Sequence, residues 1–166
     1  NIYTGYFSMN NLVPNIIKDI VFDGTLYHLW YLPASIIGAS IAYFLVKKLG
    51  LKYSLVITIV IYVIGMFGDS YYGFLEKIPL LKNLYGYIFE VSDYTRNGIF
   101  FAPVFFILGG IISNKSNYMS TKNSLIGFLI SFLLMLCEGM FLHKLGVQRH
   151  DSMYIMLLPC MYFLFT

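Results

Sequence analysis

Charge is what this sequence has least of. Only 11% of its 166 residues are Asp, Glu, Lys or Arg, against roughly 25% in a soluble domain, while 58% are apolar and 19% aromatic. So sparse a charge excludes a chain solvated mainly by water. Cysteine is scarce too: Cys137 and Cys160 both lie inside apolar runs with no metal-ligand spacing, so both read as helix-packing residues rather than as a disulfide or a zinc site. A net charge of +3 is small, and the positive residues sort along the chain instead of forming a basic face, which argues against nucleic acid as a partner. Internal repeats, low-complexity tracts and Gly/Ser linkers are absent, and the pair Gly109 and Gly110 has no phosphate-loop context. No basic segment with a small-residue cleavage site precedes the first apolar block, so these residues show no signal peptide.

What is present is a series of long apolar blocks separated by short charged stretches, the pattern of successive membrane spans. The expected fold is all-α, a polytopic transmembrane bundle of about five spans: residues 27–46, 53–67, 98–112 and 125–142, with a fifth starting near Met153. The chain begins at Asn1 without an initiator Met and stops at Thr166 within an apolar run, so residues 1–166 are expected to be one partial integral-membrane domain cut at both ends.

Sidedness follows from the lysines. Lys47, Lys48 and Lys52 join the first two spans and Lys115 and Lys122 the third and fourth, with no Asp or Glu in either loop, so both loops are expected to be cytoplasmic. The other connections hold acids and bases in similar number and are expected outside. Two segments suggest interfacial helices. After Pro14, Ile16, Ile17, Ile20 and Val21 share a face; after Pro79, Leu81, Leu84, Tyr85 and Ile88 form an apolar stripe opposite Lys82, Gly86, Glu90 and Asp93. Within the first span, Ala34, Gly38 and Ala42 make a small-residue seam along which a second helix can approach closely.

Polar residues in such surroundings are expensive. Glu138 sits deep in the fourth block, where a charge costs about 2.5–3.5 kcal/mol on insertion scales, so it should face the bundle interior as a proton carrier, a substrate contact or a hydrogen-bonded structural acid. His143, about 140° further round that helix, is no ready partner for it. His28 can accept a proton, bond a substrate hydroxyl or tie neighbouring helices together. Arg96, followed by Asn97, can snorkel to headgroups or hold a carboxylate or phosphate. Asp69, His150 and Asp151 each read as a cap or a turn residue, with Asp151 suited to capping the fifth helix. With His28 and Arg96 they map to one side of the membrane, so their convergence is a hypothesis to test against the structure.

The strings Gly24-Thr-Leu-Tyr-His-Leu-Trp-Tyr-Leu-Pro, Gly68-Asp-Ser-Tyr-Tyr-Gly and Thr95-Arg-Asn-Gly-Ile-Phe-Phe-Ala-Pro-Val-Phe together resemble the acyltransferase 3 family of bacterial integral-membrane acyltransferases, over nearly the whole chain. The resemblance implies about ten helices in all, of which about half are present here. It also implies location in the bacterial plasma membrane as a multi-pass protein, and transfer of an acyl group, often acetyl from an acyl-CoA donor, to a carbohydrate or other cell-envelope acceptor. Its partners would be the bilayer, donor, acceptor and the missing helices; it implies no tightly bound cofactor and no metal. His28, Trp30, Arg96 and Asn97 correspond to recurrent family positions, and with Glu138 they form the candidate substrate-binding set. The family's catalytic pair, an Arg followed some ten residues later by a His, has no match, because neither Arg96 nor Arg149 has such a His after it; catalytic residues stay unassigned and the fragment alone is not expected to be active. Within the family the chain resembles the membrane half of serine/alanine racemases of vancomycin-resistance operons, where it precedes a soluble pyridoxal-phosphate racemase. That subfamily implies amino-acid uptake or membrane anchoring without acyl transfer.

Overall fold

Backbone that cannot be solvated by water must satisfy its own hydrogen bonds, and this chain does so with helices. The computed structural model describes residues 29–114 and 119–166. Their regular structure is helical: α1 (Tyr31–Phe67), α2 (Tyr72–Leu75), α3 (Pro79–Val91), α4 (Ala102–Ser113), α5 (Thr121–Leu145) and α6 (Leu157–Leu164). The segment after Pro14 and the candidate His28 lie outside the described residues.

α1 is two arms rather than one rod. Gly50 breaks it at φ 76°, ψ 166°, a conformation that suits glycine because a Cβ would crowd the backbone. The reversal is read from packing: a Cβ on Gly38 would lie 2.4 Å from that of Ala102, and one on Gly65 would lie 2.6 Å from that of Phe100. A straight helix would hold these two glycines about 40 Å apart. Both arms therefore run along α4, with the turn at the far end, where Leu51 reaches Gly110. That turn falls within the lysine-bearing stretch 47–52. The expected seam is the contact surface of the first arm: Ala34, Gly38 and Ala42 are all buried.

Among the described residues two helices, α1 and α5, are long and apolar enough to cross a membrane. The sequence suggests about five spans, those at 53–67 and 98–112 already short, and the helices found at the third and fifth are shorter still. α4 has 12 residues and α6 has 8, against the roughly 20 that a full crossing takes. α4 begins at Ala102 instead of Gly98 because the Asn97 side chain takes up the amides of Ile99 and Phe100, and Pro103 suits the first helical turn. α5 is capped at its start by Ser120, whose hydroxyl accepts from the Asn123 amide, and ends on left-handed Gly146. α6 returns along it, with the Phe163 ring against Gly127 and Tyr154 beside Gly139.

The core gathers Tyr62 and Met66 from the second arm, Val104 from α4 and Met153 from the segment before α6, with Phe101, Phe105 and Leu158 packed around them. Outside it the helices are apolar but uncovered: Ile36, Phe44, Val60, Ile130, Leu133 and Phe141 are exposed, as suits surfaces facing lipid or further helices. α3 is less deeply seated than its stripe suggested. Of Leu81, Leu84, Tyr85 and Ile88 only Tyr85 is buried, its hydroxyl donating to the Ile64 carbonyl at 2.7 Å.

Candidate functional site

Opposite the Gly50 turn, three non-helical segments meet: residues 68–71 after α1, 92–101 before α4, and 147–156 before α6. Small residues let them approach closely. A Cβ on Gly68 would strike Thr95, and one on Gly73 would strike Val147 at 2.6 Å each. In place of those side chains are hydrogen bonds, from Thr95 Oγ1 to the Gly65 carbonyl (2.8 Å) and from the Gly73 amide to the Val147 carbonyl (2.7 Å).

Asp69 is the centre of this junction and is wholly buried. Its Oδ1 accepts from the amides of Ser152 (2.8 Å) and Met153 (3.0 Å) and from the Ser70 hydroxyl (2.9 Å), while its carbonyl accepts from the Arg149 amide (3.1 Å). Its other carboxylate oxygen, Oδ2, is buried with no hydrogen-bond partner among the described residues.

Arg96 stands beside it. The guanidinium carbon lies 5.2 Å from the Trp30 ring centre and 4.8 Å from that of Tyr94, and Nη1 donates to Ser152 Oγ at 3.1 Å. Aromatic faces on a guanidinium hold its plane and attract its charge. The other side of the cluster is His150, whose ring packs on Tyr94 at 4.4 Å and which is hydrogen-bonded to the Asp93 carbonyl. Its Nε2 is buried and, like Asp69 Oδ2, has no partner among the described residues. Burial pushes the imidazole below its ordinary value; the Asp69 carboxylate and the Asp93 hydrogen bond oppose that shift, and Arg149 and Arg96 reinforce it. Ser152 links the groups, its amide donating to Asp69 Oδ1 and its hydroxyl oxygen accepting from Arg96 Nη1.

Two further candidates, Asn97 and Glu138, are hydrogen-bonded to the backbone around them. Asn97 is 1% exposed and fully engaged, its carbonyl oxygen accepting from Ile99 and Phe100 and its amide donating to Ser92 Oγ (3.2 Å) and the Tyr94 carbonyl (2.9 Å). Glu138 accepts from the Tyr71 hydroxyl and the Ile155 amide (2.7 Å) at Oε1 and from the Met156 amide (2.9 Å) at Oε2. It thus satisfies backbone donors leading into α6. Asp151, expected to cap that helix, is exposed; α6 has no side-chain cap of its own, and acids from two other segments take the preceding amides. Sequence reasoning grouped Asp69, Arg96 and His150 on one side but gave no role to Tyr94, Ser152 or Tyr71. No local signal marks them, since their partners are remote in sequence.

The arrangement offers a fixed cation, a buried carboxylate with one unused oxygen and a neutral imidazole within one small cluster. Among the described residues no group of three His, Cys, Asp or Glu could hold a metal ion. Grooves elsewhere are mainly apolar: one of about 380 Å³ at the Gly50 end is lined by Ala42, Val46, Leu51 and Ile107, with Lys47 and Asn114 at its edge.

No family model matches the chain, and no solved structure matches it. Three curated relatives do. An amino-acid racemase of Enterococcus faecalis is 55% identical over 166 residues, 100% of this chain but 23% of the relative. A second amino-acid racemase of that organism is 39% identical over 99% of the chain and 24% of the relative, and a serine/alanine racemase of Enterococcus gallinarum is 36% identical over 92% and 22%. The chain spans about a quarter of the length of these relatives. Along essentially its whole length, this chain is similar to part of bacterial proteins named amino-acid and serine/alanine racemases.

Proposed function

We propose that this chain is the membrane-embedded part of a protein of the amino-acid-racemase type, crossing the bacterial plasma membrane five times and serving amino-acid uptake. The observation that carries the reading is the similarity of the entire chain to proteins named for racemisation of amino acids, serine and alanine among them. Five passes of alternating direction agree with the packing. Both arms of α1 run along α4, α6 returns along α5, and the Gly50 turn with Lys47, Lys48 and Lys52 lies at the end away from Asp69. The short helices α4 and α6 are extended by the irregular segments before them, in which Thr95, Asn97, Val147 and Met153 are buried in protein, the setting in which non-helical backbone is tolerated at membrane depth.

Acyl transfer draws no comparable support. No family model matches, the three relatives carry racemase names, and the Arg and His spacing of that chemistry is missing from the sequence. A donor acyl-CoA and an envelope acceptor belong to that reading.

The test is uptake of radiolabelled L-serine by proteoliposomes containing the full-length gene product. Saturable uptake above that of protein-free vesicles supports the proposal. Uptake no faster than in protein-free vesicles, from protein shown to be folded and inserted, reduces this region to a membrane anchor.

A further inference from the structure

We infer that Asp69, Arg96 and His150 form a binding site for a zwitterionic α-amino acid, the carboxylate held by the Arg96 guanidinium and the ammonium by Asp69 Oδ2 and His150 Nε2. The inference rests on the uptake reading for its biological sense, but its argument is geometric. Two buried atoms in one cluster, Asp69 Oδ2 and His150 Nε2, have no hydrogen-bond partner among the described residues. Leaving a buried polar atom unmade is costly, which makes two such atoms together an unusual feature.

Both are acceptors. Asp69 Oδ2 belongs to a carboxylate whose other oxygen already takes two backbone amides and a hydroxyl. The His150 ring gives its one proton to the Asp93 carbonyl, which leaves Nε2 with a lone pair. Two unpartnered acceptors in one cluster call for a donor with several hydrogens, and an ammonium has three. Arg96 supplies the complementary end. Its guanidinium packs on the Trp30 and Tyr94 rings and is joined to the Asp69 carboxylate through Ser152, whose hydroxyl and amide meet the two side chains at 3.1 and 2.8 Å. A planar guanidinium recognises a carboxylate by paired charge-assisted hydrogen bonds. A cation and an anion bridged by one residue match the charge separation of a free amino acid. Ethanolamine, which lacks the carboxylate, and glycerate, which lacks the ammonium, satisfy only half of it.

The experiment measures equilibrium binding of radiolabelled L-serine to the detergent-solubilised full-length product and to its Asp69→Asn and Arg96→Gln variants. The component of binding removed by the variants is the one scored. The Asp69→Asn substitution keeps a carbonyl oxygen for the Ser152 and Met153 amides and puts an N–H₂ where Oδ2 stood, so the fold is retained while the ammonium meets a donor; an unchanged melting temperature certifies this. Each variant is expected to weaken that component at least about tenfold, and ethanolamine and glycerate to compete with serine at least about tenfold less well than L-alanine on the wild type. Serine binding undiminished in both variants overturns the site, and so does competition by ethanolamine or glycerate as strong as that by alanine, a result that needs no variant. Uptake is scored separately. Uptake by the wild type that both variants retain removes this site and leaves the proposed function; binding lost in the variants, with no uptake by the wild type, keeps the site and removes the uptake.

Discussion

The Tyr71 hydroxyl donates to Glu138 Oε1, joining the turn after α1 to the middle of α5. Because the same carboxylate also takes the Ile155 and Met156 amides, one acid ties three segments together. Removing either partner leaves the other without its contact, so the two substitutions are coupled. In thermal unfolding of the detergent-solubilised protein, Glu138→Ala is expected to cost about 2–3 kcal/mol and Tyr71→Phe about 1 kcal/mol. The double variant should recover at least about 0.5 kcal/mol relative to the sum of the singles. Strict additivity would show that the contact contributes nothing.

Gly38 sets how closely the first arm of α1 approaches α4. With a Cβ there only 2.4 Å from that of Ala102, Gly38→Ala forces the helices apart and is expected to destabilise by about 1–3 kcal/mol. Adding Ala102→Gly removes the colliding atom and should restore part of the loss. A double variant no more stable than Gly38→Ala would place the collision elsewhere.

Gly50 and Gly86 separate conformation from space. Neither would bring a Cβ within 4 Å of another residue, but Gly50 has φ +76° whereas Gly86 lies within α3. Gly50→Ala should therefore destabilise the hairpin by about 1–3 kcal/mol, and Gly86→Ala should stabilise by up to about 1 kcal/mol. Equal effects at the two positions would contradict the reversal at residue 50.

His150 sets a pH dependence whose sign follows from its burial. Its folded pKa lies below the ordinary 6.5, so between the two values the unfolded chain binds more protons and stability rises with pH. Acidification from about pH 6.5 downwards should lower the melting temperature, and His150→Gln should remove that part of the slope. A slope unchanged in the variant would assign the effect to another group.

Much of the helix pattern was legible in the sequence because apolar blocks and lysine-bearing turns follow from solvation alone. The turn at 47–52 and the seam of Ala34, Gly38 and Ala42 are both found where such reasoning places them. Helix starts were less legible. Asn97 competes for the amides of Ile99 and Phe100, and this delays α4, while Asp69 and Glu138 take the amides preceding α6 from 83 and 17 residues away. The same distance effect hid the roles at the junction. Asp69, Arg96 and His150 could be assigned to one end of the bundle, but no spacing in the sequence says that Ser152 links two of them or that Tyr71 meets Glu138 across 67 positions.

Sidedness decides most directly whether this is a membrane domain with its polar junction facing outwards. Lys48 and Asp151 are exposed at opposite ends of the bundle. In the full-length product, with every native cysteine, Cys137 and Cys160 included, replaced by Ala, single Lys48→Cys and Asp151→Cys variants can be treated on intact cells with a membrane-impermeant maleimide. Asp151→Cys is expected to label on intact cells and Lys48→Cys only after lysis. Labelling of both on intact cells, or the reverse pattern, would contradict the proposed orientation.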